Sequence, residues 1–306
     1  MIVVDVHTHL VRVHFPVRGV PRDHTLTPEQ LVAFMDRQGI DVSVLLPLEG
    51  AESFNEYYLT RDAYEDAARF PERLVPFCHL DPRAMGYFPE ATVLKRLERM
   101  AAAGARGFGE HKVGLPLDHA WACACYRLAG ELGLPVLLHL DFTLNTDENG
   151  QPRLERILRE FPKTLFIGHG PIFWAEISAD FDRASRVAYP KGPVAPGGST
   201  DRLLGDYANL YADLSAGSAH NGLARDPEWT LGFVERHWRK LMLGTDYLRP
   251  QQDLPILPWV RSFAFTAEQR RAVLGETAVR LLRLEVEAYG RPRIDAAERV
   301  PALSQA

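Results

Sequence analysis

The chain has 306 residues, 46% of them hydrophobic and 25% charged, with a formal net charge of −5 and a pI near 6.1. These are ordinary globular values; the length allows one large α/β domain or two small ones. The acidic balance leaves no basic footprint for nucleic acid or anionic lipid, and no apolar run reaches membrane-spanning length. The three cysteines, Cys78, Cys123 and Cys125, form no disulfide framework and no zinc ribbon. The N-terminus carries no charged segment ahead of its apolar run, so it is a poor signal peptide. The expectation is a cytoplasmic protein acting on a small molecule, without nucleic-acid or membrane partners; a homo-oligomer stays open.

Strand one is expected from Ile2 to His9, followed by a polar-aromatic loop with Arg12, His14, Arg18, Arg22 and His24. Thr27-Pro28 caps a helix that Gly39 ends, since a hydroxyl ahead of a first-turn proline and a glycine past the last turn are helix boundary signals. Strand two is Ile40–Leu46 and strand three Leu74–Leu80, with a helix near Thr60 to Phe70 between them. Val93, Leu94, Leu97, Met100 and Ala101 keep a helical period up to Gly104. Strand four is Ala105–Lys112, and Ala120–Leu132 is helical with Gly133 as its stop. Strands five and six are Leu134–His139 and Thr164–His169, around a helix from Arg153 to Phe161. Tyr189–Gly198 is a glycine- and proline-rich loop long enough to be an active-site flap. A helix from Ser199-Thr200, strand seven (Asn209–Ser215), a helix from Trp229 to Trp238 and strand eight (Lys240–Asp246) follow. Helices from Thr266 and Glu276 close the body.

Eight short strands alternating with helices, with no composition break, predict one (β/α)8 TIM barrel over residues 1–286 and a C-terminal extension over 287–306. A doubly wound sheet is the alternative, but no Gly-x-Gly-x-x-Gly turn follows strand one and no P-loop is present. Barrel enzymes build their sites at the C-terminal ends of strands. Those ends read His7 and His9, Glu110, His139, His169, Asp213 and Asp246. His7 and His9, two apart on a strand, share a face and could converge on one point. A buried His or Asp ending an aliphatic run costs free energy unless paired or metal-bound. One instance proves little; several from separate strands argue for a shared centre.

The constellation also resembles a family. His7-Thr-His9, His139, Gly168-His169-Gly170 and Gly244-Thr-Asp246 look like the amidohydrolase superfamily, closest to its amidohydrolase-related branch with aminocarboxymuconate-semialdehyde decarboxylase. Gly275-Glu-Thr-Ala-Val-Arg-Leu-Leu282 resembles that branch's closing helix, with Thr277 where the branch usually has Asn. The resemblance implies that His7, His9, His139 and Asp246 hold a divalent metal. It implies Asp246 and His169 as the catalytic acid/base pair, His169 being instead a second-ion ligand in two-metal relatives. Glu110, where two-metal relatives carry a bridging carboxylate, makes the full set His7, His9, Glu110, His139, His169 and Asp246 similar to TatD-like hydrolases. Zinc suits such nitrogen and oxygen ligands, with manganese, iron or cobalt as alternatives and one or two ions.

Each residue has a plainer reading. Glu110 could pair with Lys112 on its own strand face, and Asp246 could be a helix cap. His111 points away by alternation, and His79 could be a satisfied core histidine. Asp213 and Ser215 could touch substrate or orient His169. Arg12, His14, Trp174, Glu176, Asp213, Tyr247 and Arg249 are candidate substrate contacts. The expected chemistry is hydrolysis of an amide, lactone or ester by metal-activated water. The rivals are a decarboxylase or hydratase on the same centre, a TatD-like nuclease, disfavoured by the acidic balance, and a binding protein with no reaction.

Overall fold

The apolar runs that end in histidine or aspartate are all strands. The computed structural model of the chain describes residues 1–13, 25–54 and 56–288. Its elements are β1 (Val4–Thr8), β2 (Arg12–Val13), α1 (Pro28–Gln38), β3 (Val42–Leu45), β4 (Glu56–Tyr57), α2 (Thr60–Arg69), β5 (Leu74–Pro76), α3 (Glu90–Ala102), β6 (Phe108–His111) and α4 (Ala120–Leu132). The chain continues with β7 (Val136–His139), α5 (Pro152–Glu160), β8 (Phe166–His169), α6 (Pro171–Ala175), α7 (Ser199–Asp206), β9 (Leu210–Leu214), α8 (Ala216–Ala224) and α9 (Pro227–His237). It closes with β10 (Leu241–Leu243), α10 (Ile256–Ser262), α11 (Ala267–Arg271) and α12 (Thr277–Leu282), the last two joined by a π-helical turn. The expected C-terminal extension lies outside the described residues beyond Ala288.

Eight of the strands run parallel, in two sheets ordered β1-β3-β5 and β10-β9-β8-β7-β6. Hydrogen bonds cross both seams between the sheets. Cys78 N donates to Gly107 O (3.0 Å) and Gly109 N to Cys78 O (2.8 Å), while His9 N donates to Tyr247 O (3.0 Å) and Asp246 N to His7 O (2.8 Å). With helices between successive strands, this is the TIM-barrel arrangement that the strand count predicts. The short antiparallel pair β2–β4, lying in the loops above the strand ends, is not anticipated by the sequence pattern.

Local chemistry explains the boundaries. Thr27 accepts from Gln30 N while Gln30 accepts from Thr27 N, a capping box at α1, and Gly39 closes that helix in the left-handed region. The strands are buried on both faces and rich in Val, Leu and Ile, as parallel strands covered by helices must be. Val44, Val75, Phe77, Leu137, Ile167 and Met242 meet in one apolar cluster. Leu137 and Ile167 precede His139 and His169 by two, so this cluster is the floor beneath the strand-end polar groups. Each fully buried aliphatic side chain contributes roughly 1.5–3 kcal/mol. That burial offsets the cost, several kcal/mol per ion, of holding charged groups above the floor. Among the described residues no helix is long and apolar enough to cross a membrane.

Candidate metal centre

β1 brings its two histidines together. His7 Nε2 and His9 Nε2 lie 3.0 Å apart, both rings buried. The far nitrogens decide what those facing atoms are. His9 Nδ1 donates to the Leu46 carbonyl at 2.8 Å, and His7 Nδ1 donates to Asp213 Oδ2 at 2.6 Å. A carbonyl and a carboxylate only accept, so the neutral imidazoles carry their protons on Nδ1 and turn unprotonated Nε2 lone pairs toward each other. Asp246 Oδ1 adds a third acceptor, 3.5 Å from His7 Nε2 and 3.4 Å from His9 Nε2. Glu110 adds a fourth, with Oε2 3.6 Å from His9 Nε2 and Oε1 3.9 Å from His7 Nε2. Four acceptors converge with no donor among them. Such a set fits a cation, and the outward hydrogen bonds to carboxylate and carbonyl are those that orient histidine ligands.

A second group adjoins the first. Glu110 Oε1 lies 2.8 Å from His139 Nδ1 and 3.7 Å from His169 Nε2. His7, His9 and Asp246 could hold an ion, and so could Glu110, His139 and His169. Glu110 faces both groups. The plainer reading of Glu110, a close salt bridge to Lys112, is not what forms: His139 is its hydrogen-bonded partner, and Lys112 acts on it through charge alone. His169 Nδ1 is held by Ser215 Oγ at 2.7 Å, and that hydroxyl donates to Asp213 Oδ2 at 2.8 Å. Asp213 thus fixes His7 directly and His169 through Ser215.

Electrostatics follow from these contacts. Burial works to raise the Glu110 carboxyl, yet the charges of Lys112 and His139 hold it well below the usual carboxylate range. Burial likewise opposes ionisation of Asp246 and is outweighed by His7, His9 and His169, so its carboxyl is also lowered. Burial and the neighbouring His169 push His7 down, but the Asp213 and Asp246 carboxylates leave it raised. The donor set favours positive charge at this point.

The glycine motifs are explained by close approach. A Cβ on Gly244 would lie 2.0 Å from Asp213 Oδ1, so the strand-end Gly-Thr-Asp must begin with glycine for that carboxylate to fit. Gly170 has φ +102° and would press a Cβ to 2.5 Å from Leu140 O. Asp246 itself sits at φ +54°, held there by its N–H on His7 O and by Gln252 Nε2 donating to its carbonyl at 2.8 Å. A non-glycine residue so placed costs of order 1–3 kcal/mol and persists where surrounding structure dictates it. Asp5 ties the seam below, accepting from Thr245 N (2.9 Å), Thr245 Oγ1 (2.6 Å) and His7 N (3.1 Å).

The candidate substrate contacts fall in other settings. Arg12 pairs with Asp66 (3.2 Å) and Asp62 (3.5 Å). Trp174 is fully buried, because the short α6 turns it into the core, where Nε1 donates to Asp213 O at 3.2 Å. Asp213 is wholly buried behind His7 and His169, and Tyr247 is stacked on Phe34. Arg249 faces Glu56 at 3.6 Å. Glu176 binds Arg183 (2.9 Å) and Ser199 (2.8 Å). His14 lies outside the described residues. His79 and His111 bond each other at 3.2 Å, away from the cluster. Sequence reasoning missed Asp141, 3.3 Å from His139 Nε2, although period two from His139 would have marked it. It also missed Asn145, which donates to the carbonyls of His111 and His139 and has no sequence signal.

Several solved structures share the fold. An uncharacterised TIM-barrel protein from Bordetella bronchiseptica superposes with a TM-score of 0.63 at 14% identity, over 92% of this chain and 99% of its own. A probable 2-pyrone-4,6-dicarboxylic acid hydrolase from Acinetobacter baumannii, with citric acid bound, gives 0.62 at 14% identity, over 93% and 100%. A dihydroxybenzoic acid decarboxylase from Polaromonas, with bound manganese and the inhibitor 2-nitroresorcinol, gives 0.55 at 15% identity, over 92% and 97%. No curated protein sequence matches the chain significantly. The family model for amidohydrolases matches residues 4–284, from β1 through α12, and the chain belongs to the amidohydrolase family.

Proposed function

We propose that the chain is a metal-dependent hydrolase acting on an amide, lactone or ester bond of a small molecule. The observation that carries the reading is the convergence of His7 Nε2, His9 Nε2, Asp246 Oδ1 and Glu110 on one point without a donor. His7, His9 and Asp246 would hold one divalent ion and His139 and His169 a second, with Glu110 reaching both; zinc or manganese suits these donors. A divalent ion bound there would lower the pKa of its water to roughly 7 and polarise a carbonyl. Asp246, partly open to the cavity, would accept a proton and return it to the leaving group. Where only the first ion is bound, His169, with Nδ1 fixed by Ser215, would instead use its unprotonated Nε2 for proton transfer.

A decarboxylase reading is favoured by several decarboxylases of the same fold, among them the manganese-bound dihydroxybenzoic acid decarboxylase. The two readings share the centre and part at the product. Elemental analysis of wild type, His7→Ala and Asp246→Asn is the test. Wild type is expected to hold divalent metal and both variants to lose most of it together with turnover of an ester, lactone and amide panel. A wild type that stays metal-free after growth in supplemented medium, or variants with full activity, sinks the reading. Release of carbon dioxide from a carboxylated substrate, with no hydrolysis in the panel, selects the decarboxylase.

A further inference from the structure

Lys112 stands two residues beyond Glu110 at the end of β6, only partly open to solvent. Its electrostatic neighbours are Glu110, Asp246, Asp141 and Glu56, four carboxylates from four separate segments around the cavity. Each of these has a nearer partner. Glu110 lies on His139 at 2.8 Å, and Asp246 on His9 at 3.4 Å. Asp141 accepts from the backbone N–H of Thr143 and Leu144 and faces His139 at 3.3 Å. Glu56 faces Arg249 at 3.6 Å. The ammonium of Lys112 makes no hydrogen bond and no close ion pair with any described residue.

Other described cations near the strand ends are engaged. Arg12 is on Asp66 and Asp62, Arg83 on Asp81 and Glu52, and Arg183 on Glu176. The four carboxylates outweigh burial and keep the Lys112 ammonium charged, yet none of them accepts a hydrogen bond from it, so its donors are left for a group that arrives in the cavity. We propose that Lys112 binds an oxyanion of the substrate, a carboxylate or phosphate group, and so fixes the substrate's orientation over the histidines. This rests on the reading of the site as a metal-dependent active site, because ions at the histidines engage Glu110 and Asp246 and leave the ammonium as an open cationic donor. Lysine acts here as a point charge with three rotatable donors, so charge matters more than fork geometry.

Calorimetric titration with benzoate, and separately with inorganic phosphate, tests this in wild type, Lys112→Met and Lys112→Arg, each as purified and after chelation. Wild type is expected to bind one of the two probes, which also tells carboxylate from phosphate. Lys112→Met should weaken that binding by about tenfold or more, equivalent to a loss of roughly 1.4 kcal/mol, with Lys112→Arg close to wild type. Metal content should be the same in all three. Binding by Lys112→Met within about twofold of wild type overturns the proposal, as does wild type binding neither probe. Loss of metal in Lys112→Met also overturns it, since Lys112 would then be supporting the centre. A metal-free wild type sinks the metal-dependent reading itself, whereas a metal-loaded wild type whose anion binding survives Lys112→Met sinks the proposal alone.

Discussion

His7 and His9 end β1 at the cavity, and His79 and His111 end the neighbouring runs of β5 and β6. All four rings are buried, and each pair is in contact, Nε2 to Nε2 at 3.0 Å in the first and Nε2 to Nδ1 at 3.2 Å in the second. The difference is behind the rings. His7 and His9 have their far nitrogens fixed by Asp213 and Leu46 O, whereas His79 Nδ1 and His111 Nε2 have no partner among the described residues. Around the first pair stand Asp246, Glu110 and Asp213. Around the second stand Phe108 and Tyr126, at 5.3 Å from His79 and His111 respectively. A histidine is prepared for a cation by what holds its other nitrogen, more than by burial or by the histidine beside it.

Removing the shared carboxylate should have the largest effect on that contrast. Glu110→Gln keeps the shape but takes the charge that faces both groups, so bound metal is expected to fall from two ions per chain to one. A wild type with a single ion, unchanged in Glu110→Gln, breaks the two-group reading and leaves Glu110 as a partner of His139. Next comes the support behind His7. Asp213→Asn should lower metal affinity by about 10–100-fold while the fold is kept, the usual cost of losing such an outer partner. Competition with a metal-binding dye reads the affinity, and thermal unfolding of the metal-free forms controls for packing. An unchanged affinity would mean that the Asp213–His7 bond, 2.6 Å, does nothing for the centre.

Much of this was legible in the sequence, for identifiable reasons. Continuous apolar runs locate strands because parallel strands are buried on both faces, and their polar last residues mark the C-terminal end of the barrel. His7, His9, Glu110, His139, His169 and Asp246 stand at those ends and lie in two adjoining groups. What was not legible depends on tertiary direction. The five-residue α6 carries too little pattern to reveal that Trp174 turns into the core. Nor does any spacing reveal that the Leu46 carbonyl sets the tautomer of His9, or that Lys112 acts on its strand neighbour Glu110 through charge without a hydrogen bond. Side-chain partners more than a hundred residues apart, such as His7 and Asp213, are fixed by barrel closure and leave no local trace.

The smallest effect concerns the second pair, and it is read best in pH. One imidazole N–H lies between His79 and His111, so whichever ring donates, one donor and one acceptor of the pair stay unpartnered in the core. Replacing one ring leaves the other stranded and should cost about 1–3 kcal/mol; replacing both, as in His79→Leu with His111→Leu, should come close to neutral. Burial pushes the His79 imidazole below its ordinary value, and burial together with the charge of His79 pushes His111 well below. The folded chain therefore refuses protons that the unfolded chain accepts below about pH 6.5. Stability from this pair is full above that pH and is lost as pH falls toward the lowered folded values, by up to roughly 1.4 kcal/mol per pH unit for each ring. Denaturant unfolding of metal-free wild type and double variant between pH 5 and 8 should show the two curves separating below pH 6.5, the variant losing less. Parallel curves would mean that the pair is hydrated and already takes up protons when folded, and the contrast with His7 and His9 would then narrow to the carboxylates alone.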